Sequence, residues 1–314
     1  MKIGILGTGF GMHHANIYKK IDIIESITIF GRNKEKLEKI RRDMGVDVTD
    51  NADDILANKN IDLIDICLPS SIHREYVIEA LKNGKNVFCE TPICLSLEGA
   101  YAMKKAGEQY GKRVFVNLFI RHEYPYEYIY NTLKDNSLGK LKTINVKRET
   151  PPLWGDLSLN NIVTNLMIHE FDFITWLLGM PDKISSLGIN GKTGQSYVSA
   201  LLLYEDTIVE VQGSSMMPLS YPFTVAYEAV FENGAIEYTE NSYPDRCENS
   251  LTLFTANDKK DLKILGKDYC EQSIKHVIEC CTKDIPTILS LDDAIKSFKV
   301  ALKIKDSILN GKNI

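Results

Sequence analysis

A short apolar run at the head of the chain, Lys2–Leu6, ends at Gly7-Thr8-Gly9-Phe10-Gly11, and helical spacing follows through Tyr18. A strand, a glycine-rich turn and a helix in that order form a tight constraint. Glycines let the backbone reverse within a few residues and let an anion approach the helix N-terminus, where unpaired peptide N–H groups point outward. The run is close to G-x-G-x-x-G, with the last glycine one place early and Met12 in its usual position. An ordinary tight βα turn would use the same glycines. Its place in front of a βαβ pattern favours a dinucleotide pyrophosphate, with Gly7, Thr8, Gly9, Phe10 and Gly11 as the contacts.

The pattern that follows alternates. Ser26–Phe30 reads as a strand and residues 34–43 as a charged helix. Residues 62–68 form a continuous apolar run of the kind a buried parallel strand needs. Residues 71–83 read as a helix, Asn86–Cys89 as a strand, 96–111 as a helix and 114–117 as a strand. Alternation at this spacing means right-handed βαβ units and a doubly wound parallel sheet of the Rossmann type over residues 1–120. After that the rhythm changes. Residues 124–135 and 160–178 read as single helices. Residues 197–204, 207–213, 223–231 and 235–238 read as an antiparallel meander with short turns, and the last helix starts at Ser290, an N-cap with Asp293 behind it. The expected architecture is α/β, a Rossmann doubly wound parallel sheet followed by a C-terminal α+β domain, residues 121–314, with an open, mostly antiparallel sheet. Its last helix is placed to pack back on the first domain.

Bulk properties narrow the function. A net charge of −5 with no long basic run speaks against nucleic acid or an anionic membrane as partner, and no apolar stretch is long enough to cross a bilayer. Seven cysteines, an odd number with no C-x-x-C pair, fit reduced thiols in a cytoplasm better than a disulfide framework or a zinc site. The spacing of His13, His14 and His276 suggests no metal.

At the end of the second strand, NAD-specific sites place a carboxylate to read the ribose 2′-hydroxyl. This chain has Gly31-Arg32-Asn33. With no carboxylate to repel a 2′-phosphate, Arg32 can pair with one or stack on adenine, which leans toward NADP(H) over NAD(H). A solvated turn arginine would look the same in sequence.

Further motifs stand in order along the chain. They are Cys67-Leu68-Pro69-Ser70-Ser71-Ile72-His73; Asn86-Val87-Phe88-Cys89-Glu90-Thr91-Pro92; Asn117 and Arg121; Gly139-Lys140-Leu141; and Asn165-Leu166-Met167-Ile168-His169-Glu170-Phe171-Asp172 with Trp176-Leu177-Leu178-Gly179. Asp293-Ala294, Ala301, Ser307 and Gly311-Lys312 close the series. Jointly they resemble the Gfo/Idh/MocA oxidoreductases, the glucose–fructose oxidoreductase and inositol dehydrogenase relatives. The resemblance implies hydride transfer between NAD(P) and a hydroxyl or carbonyl carbon of a sugar, cyclitol or related small polar molecule. It also implies a homodimer or homotetramer joined through the second sheet. Leu68, Pro69, His73, Glu90 and Asn117 match positions that line the cofactor in the family.

Two departures stand out. Where the family's E-K-P motif has lysine, this chain has Thr91, and where its D-x-x-x-H motif has aspartate, it has Asn165. Threonine brings no positive charge, and asparagine cannot act as a base. A spacing of four would place Asn165 and His169 on one helical face. His169 is then the remaining catalytic acid/base, with Thr91 and Asn165 as neutral catalytic-site hydrogen-bonding positions. A buried histidine satisfied by a backbone carbonyl is the bland alternative. Asp172 would orient His169 or bind substrate, with a purely structural role equally open. Arg121 and Trp154 are candidate substrate contacts or packing residues. The competing function is a ligand-binding regulatory protein on the same fold, since the family includes a repressor.

Overall fold

The computed structural model describes residues 1–266 and 268–310; Gly311-Lys312 of the C-terminal motif lie outside the described residues. The chain divides into two compact units. One holds Met1–Phe119 together with Asp268–Ile295, and the other holds the remaining described residues. Residues 268–295, placed by sequence pattern in the second domain, thus belong to the first unit.

The first unit runs β1 (Lys2–Leu6), α1 (Phe10–Tyr18), β2 (Ser26–Phe30), α2 (Lys34–Met44), β3 (Asp47–Thr49), a one-turn α3 (Asp53–Leu56), β4 (Leu63–Ile66), α4 (His73–Lys82), β5 (Asn86–Cys89), α5 (Leu97–Tyr110) and β6 (Val114–Val116). Its six strands are all parallel, in the order β3-β2-β1-β4-β5-β6. The chain order reverses between β1 and β4, so the crevice beyond their carboxyl ends is the place where a doubly wound sheet takes its ligand. Every residue of β4 is buried, as its apolar run requires. The helices are set by their ends. Asn33 caps α2 by accepting from Lys36 N, Gly45 closes it in the left-handed region, and Leu37, Ile40 and Met44 bury its apolar stripe.

The second unit contains α6 (Tyr124–Lys134), β7 (Leu141–Glu149), α7 (Ile162–Asn165), α8 (Ile168–Leu178), β8 (Lys183–Asn190), β9 (Ser196–Leu203), β10 (Ile208–Ser214), β11 (Phe223–Phe231), β12 (Gly234–Ser242), β13 (Cys247–Thr255) and β14 (Lys259–Asp261). The eight-stranded sheet has the order β14-β13-β12-β11-β7-β10-β9-β8. It is antiparallel except where β10 lies parallel to β7. The expected meander is therefore corrected: β9–β10 and β11–β12 are hairpins, but β7, from earlier in the chain, is threaded between them. Strands β7, β8 and β13 escape the pattern because charged and polar residues such as Lys147, Arg148, Ser185, Ser186 and Asn249 blur their alternation. An edge-to-face group of Tyr126, Phe173, Tyr227 and Tyr238 fills the core where α6 and α8 meet the sheet.

The single helix expected over residues 160–178 is broken. The amides of Leu166 and Met167 both bond to Ile162 O, which closes α7, and α8 restarts at Ile168. Met167 is fully buried, packed so closely on Gly213 of β10 that a Cβ there would lie 2.5 Å from its thioether sulfur. Asn165 and His169 are consequently on different helices, and the shared-face argument does not hold. Asn165 is exposed, while His169 is half-buried in the first turn of α8.

Two helices end the chain, α9 (Tyr269–Lys283) and α10 (Leu291–Asn310); α9 packs on α1. Ser290 Oγ accepts from Asp293 N at 3.1 Å and donates to Asp293 Oδ2 at 2.8 Å, the capping arrangement expected at that start. No helix of the described residues is long and apolar enough to cross a membrane. Replacing Ser290 by Ala should lower unfolding stability by about 0.5–2 kcal/mol, measured by denaturant titration, because one N-terminal amide loses its acceptor.

Candidate functional site

The carboxyl edge of the parallel sheet is built by residues one step beyond each strand. Gly7 N bonds to Phe30 O, Cys67 N to Leu6 O, Glu90 N to Ile66 O and Asn117 N to Cys89 O, each at 2.9–3.0 Å. The ladder therefore fixes Gly7, Cys67, Glu90 and Asn117 side by side. Gly7 has φ +120°, and a Cβ there would sit 2.4 Å from Cys67 O, so only glycine fits between β1 and β4. Gly9 is the N-cap of α1, and a Cβ on it would meet open space. Thr8 packs its methyl toward Gly31, Phe10 is exposed and Gly11 lies against Ile5. Backbone amides at an open helix N-terminus beside a crowded glycine are what a pyrophosphate needs.

The neighbouring loops are stapled by His73. Its ring is buried, with Nε2 2.6 Å from Leu68 O and Nδ1 3.1 Å from Pro92 O. Burial pulls its pKa below the ordinary histidine range, against the bond to Leu68 that raises it. His73 thus sits between the Leu68-Pro69 and Thr91-Pro92 loops, and its neutral ring donates to one of the two carbonyls at a time. The Glu90 side chain is 18% exposed, and its Oε1 accepts from Asn117 Nδ2 at 2.8 Å. Asn117 Oδ1 is buried and takes no hydrogen bond, an orphaned acceptor at the carboxyl edge. Thr91 is half-buried, and Arg32 is exposed at the end of β2.

In the second unit, Arg121 and Asp172 find each other. Arg121 Nη2 donates to Asp172 Oδ1 at 2.6 Å and Nε to Oδ2 at 3.1 Å, and both side chains are almost wholly buried. The guanidinium also lies 5.5 Å from the Trp176 ring. The pair braces α8 against the segment before α6, so the two proposed substrate contacts are bonded to each other. Trp154, the third, is exposed, with its ring 5.9 Å from Phe223.

His169 sits beside a second buried pair that sequence reading missed. Arg148 of β7 donates from Nε to Glu170 Oε1 at 2.6 Å, its guanidinium 5.4 Å from the Phe223 ring. Glu170 is fully buried, and its Oε2 takes no hydrogen bond. Burial, and then the Arg148 charge, hold His169 well below the ordinary histidine range, so it is a neutral imidazole at pH 7. Glu123, half-buried, is pushed up to about 8 by desolvation despite the opposing Arg148. A charged residue in the middle of an otherwise alternating strand was the available signal for Arg148.

The fold also gathers metal-type ligands that the sequence spacing kept apart. His14, Cys67 and Glu90 form one group with ligand atoms within 4.8 Å of one another, and His13, Asp268 and Cys270 form another. Asp65, a carboxylate inside the apolar run of β4, was the signal that something polar lies beneath.

Residues 1–118 match the oxidoreductase family with an NAD-binding Rossmann fold. An inositol 2-dehydrogenase of Pseudomonas syringae pv. syringae (strain B728a) is 26% identical over 286 residues, 85% of this chain and 83% of that protein. Two solved structures share the fold along the whole length. UDP-N-acetylglucosamine 3-dehydrogenase GnnA from Acidithiobacillus ferrooxidans aligns with TM-score 0.85 at 17% identity, covering 98% of this chain and 97% of that one. An oxidoreductase from Agrobacterium radiobacter, solved with NAD+, L-tartaric acid and magnesium, aligns with TM-score 0.87 at 18% identity, covering 100% and 98%.

The buried Arg148–Glu170 pair gives a direct test of the architecture around His169. Arg148→Met should destabilise the protein by about 3–5 kcal/mol in chemical denaturation, because it strands a buried carboxylate, whereas replacing both partners with apolar residues should recover most of the loss. The glycine-cradled carboxyl edge of the first unit thus coincides with the segment, residues 1–118, that matches an oxidoreductase family with an NAD-binding Rossmann fold.

Proposed function

We propose that the chain transfers a hydride between a nicotinamide dinucleotide and a hydroxyl or carbonyl carbon of a cyclitol, sugar or related small polar molecule, with His169 exchanging the accompanying proton. The observation that carries this reading is the carboxyl edge itself. Gly7 is pressed against Cys67 O, the α1 N-terminus is open, and the orphaned Asn117 Oδ1 lies beside Glu90. Those features fit a dinucleotide: residues 7–11 would hold the pyrophosphate, and Leu68, Pro69, Glu90 and Asn117 would hold the nicotinamide half. His73 supports them from behind. Bound nicotinamide accepts or delivers the hydride. The protein's part is to fix geometry and manage one proton, for which a neutral imidazole is the right starting state in the oxidation direction. Thr91 and Asn165 serve as uncharged hydrogen-bonding groups for substrate. The full-length inositol dehydrogenase relatives support a polyhydroxylated substrate.

Two finer assignments belong to the same reading. Arg32, exposed and with no carboxylate in residues 31–33, reads a 2′-phosphate, so NADP(H) binds at least as well as NAD(H). The protein works in the cytoplasm as a homodimer or homotetramer. One face of the second sheet exposes Leu187, Leu201, Leu203 and Ile208, and Leu203 pairs directly with Ile208, an apolar patch that a second copy would cover.

Polyols, sugars, sugar acids and their keto forms, assayed with both cofactors, test the reaction. On any substrate found, His169→Asn should lower kcat/KM by about tenfold or more, and a smaller loss would remove His169 from the role. Since His169 titrates well below the ordinary range near 6.5, protonation should not silence the base until the pH is well below that value; alcohol oxidation should keep its rate through neutral pH and fall only at the acid end. Arg32→Ala should weaken NADPH more than NADH in fluorescence titrations; equal losses would refute the 2′-phosphate contact.

A further inference from the structure

Beneath the carboxyl edge lies a buried histidine that the proposed chemistry does not use. His14, on the inner face of α1, is 1% exposed. Its Nδ1 is 2.9 Å from Asp65 Oδ2, on a strand residue with no exposure at all. Its Nε2 is 3.2 Å from Glu90 Oε1, an ion-pair contact rather than an aligned hydrogen bond. The ring lies on Phe88, with centroids 5.8 Å apart and planes 21° from parallel. One carboxylate therefore stands at each ring nitrogen. A neutral ring would turn a lone pair toward one of them, whereas an imidazolium presents N–H to both.

The groups around the ring agree with that state. Burial alone would lower the His14 pKa, but the Asp65 charge and its hydrogen bond outweigh this and hold the ring protonated far above the ordinary histidine range. From β4, Cys67 Sγ lies 3.4 Å from Nδ1 and donates to Asp65 Oδ1 at 3.3 Å. Burial pushes that thiol up, so it stays neutral. Cys270 of α9 also reaches the ring, and the Tyr18 hydroxyl of α1 faces Asp65 and, buried, remains protonated. The cation on the ring thus sits between two acidic groups, and no second cation is found among those neighbours.

We propose that His14 is a positioning residue for the nicotinamide half of the cofactor: clamped by Asp65 from behind, its ring and Asn117 together fix Glu90 Oε1 and so set the direction in which the other carboxylate oxygen, Oε2, meets the ligand. The contacts divide cleanly. Oε1 takes the Asn117 amide at 2.8 Å and the His14 ring at 3.2 Å, while Oε2 takes no protein partner among the described residues. With Asp65 wholly buried, the His14–Asp65 pair cannot swing away without stranding a charge, which makes it a stiff brace for the mostly buried Glu90 carboxylate. The inference rests on the reading that Glu90 borders the cofactor.

The test compares NADH with ADP-ribose, which carries the pyrophosphate and adenosine but no nicotinamide. In fluorescence and calorimetric titrations His14→Gln should weaken NADH by about tenfold and leave ADP-ribose within about twofold, because the pyrophosphate cradle is untouched. Glu90→Gln should show the same selective loss, and the double variant should lose little more than either single, the signature of one coupled unit. Equal weakening of NADH and ADP-ribose, additive losses in the double variant, or zinc retained stoichiometrically at His14, Cys67 and Glu90 would each overturn the proposal. If His14→Gln does not fold, Asn117→Ala probes the same clamp from its other side and must reproduce the NADH-selective loss. Failure of the wild-type protein to bind either ligand would sink the cofactor reading itself, an outcome distinct from any of these.

Discussion

Gly7 is the point on which the molecule's binding capacity turns. The parallel ladder forces the end of β1 against the end of β4, and the Cys67 carbonyl occupies the space that any side chain at position 7 would need. Once that contact is made, the amides of the following turn are committed to the helix N-terminus, and Phe30, Ile66 and Cys89 must each hand their carbonyl to a residue just past the neighbouring strand. Loop residues positioned this way inherit the rigidity of the sheet. That is why Glu90 and Asn117, neither of which is in regular structure, can be held within hydrogen-bonding distance of each other.

The sequence declared this half of the chain well, because each of its signals is local. Apolar strands, glycine turns and capped helices all act over a few residues, and Asn86–Cys89 and the Ser290 cap appear where they were expected. The second unit was harder for a physical reason. Its central strand β7 carries Lys142, Lys147, Arg148 and Glu149, and only tertiary pairing with β10 and β11 makes it a strand. Likewise nothing local announces the break after Asn165. Helical propensity runs straight through Leu166-Met167, and it is the burial of Met167 against Gly213 that interrupts it.

The site residues divide along the same line. Motif positions such as residues 7–11, Glu90 and Asn117 come together at one edge, whereas Arg121 and Asp172, read as pocket or packing residues, pair with each other. His14, Asp65, Arg148 and Glu170 were passed over because their partners lie between 22 and 51 residues away, and pairing at that range leaves no periodicity to read. Asp65 and Arg148 were nonetheless visible as misfits. A charged side chain inside an apolar or alternating strand must be paid for by a partner, and such residues are worth pursuing before exposed ones.

Buried charge also explains why each unit can do something the other cannot. In the second unit Arg148 is matched by Glu170, and its field falls on His169, which stays neutral and able to take a proton. In the first unit the balance is reversed: Asp65 and Glu90 flank His14, and the ring is held as a cation. Burial favours the neutral form of both rings; the Arg148 charge adds to it at His169, whereas the Asp65 charge and hydrogen bond override it at His14. The neutral one suits proton exchange, since it can change state during a turnover. The charged one suits bracing, since it cannot.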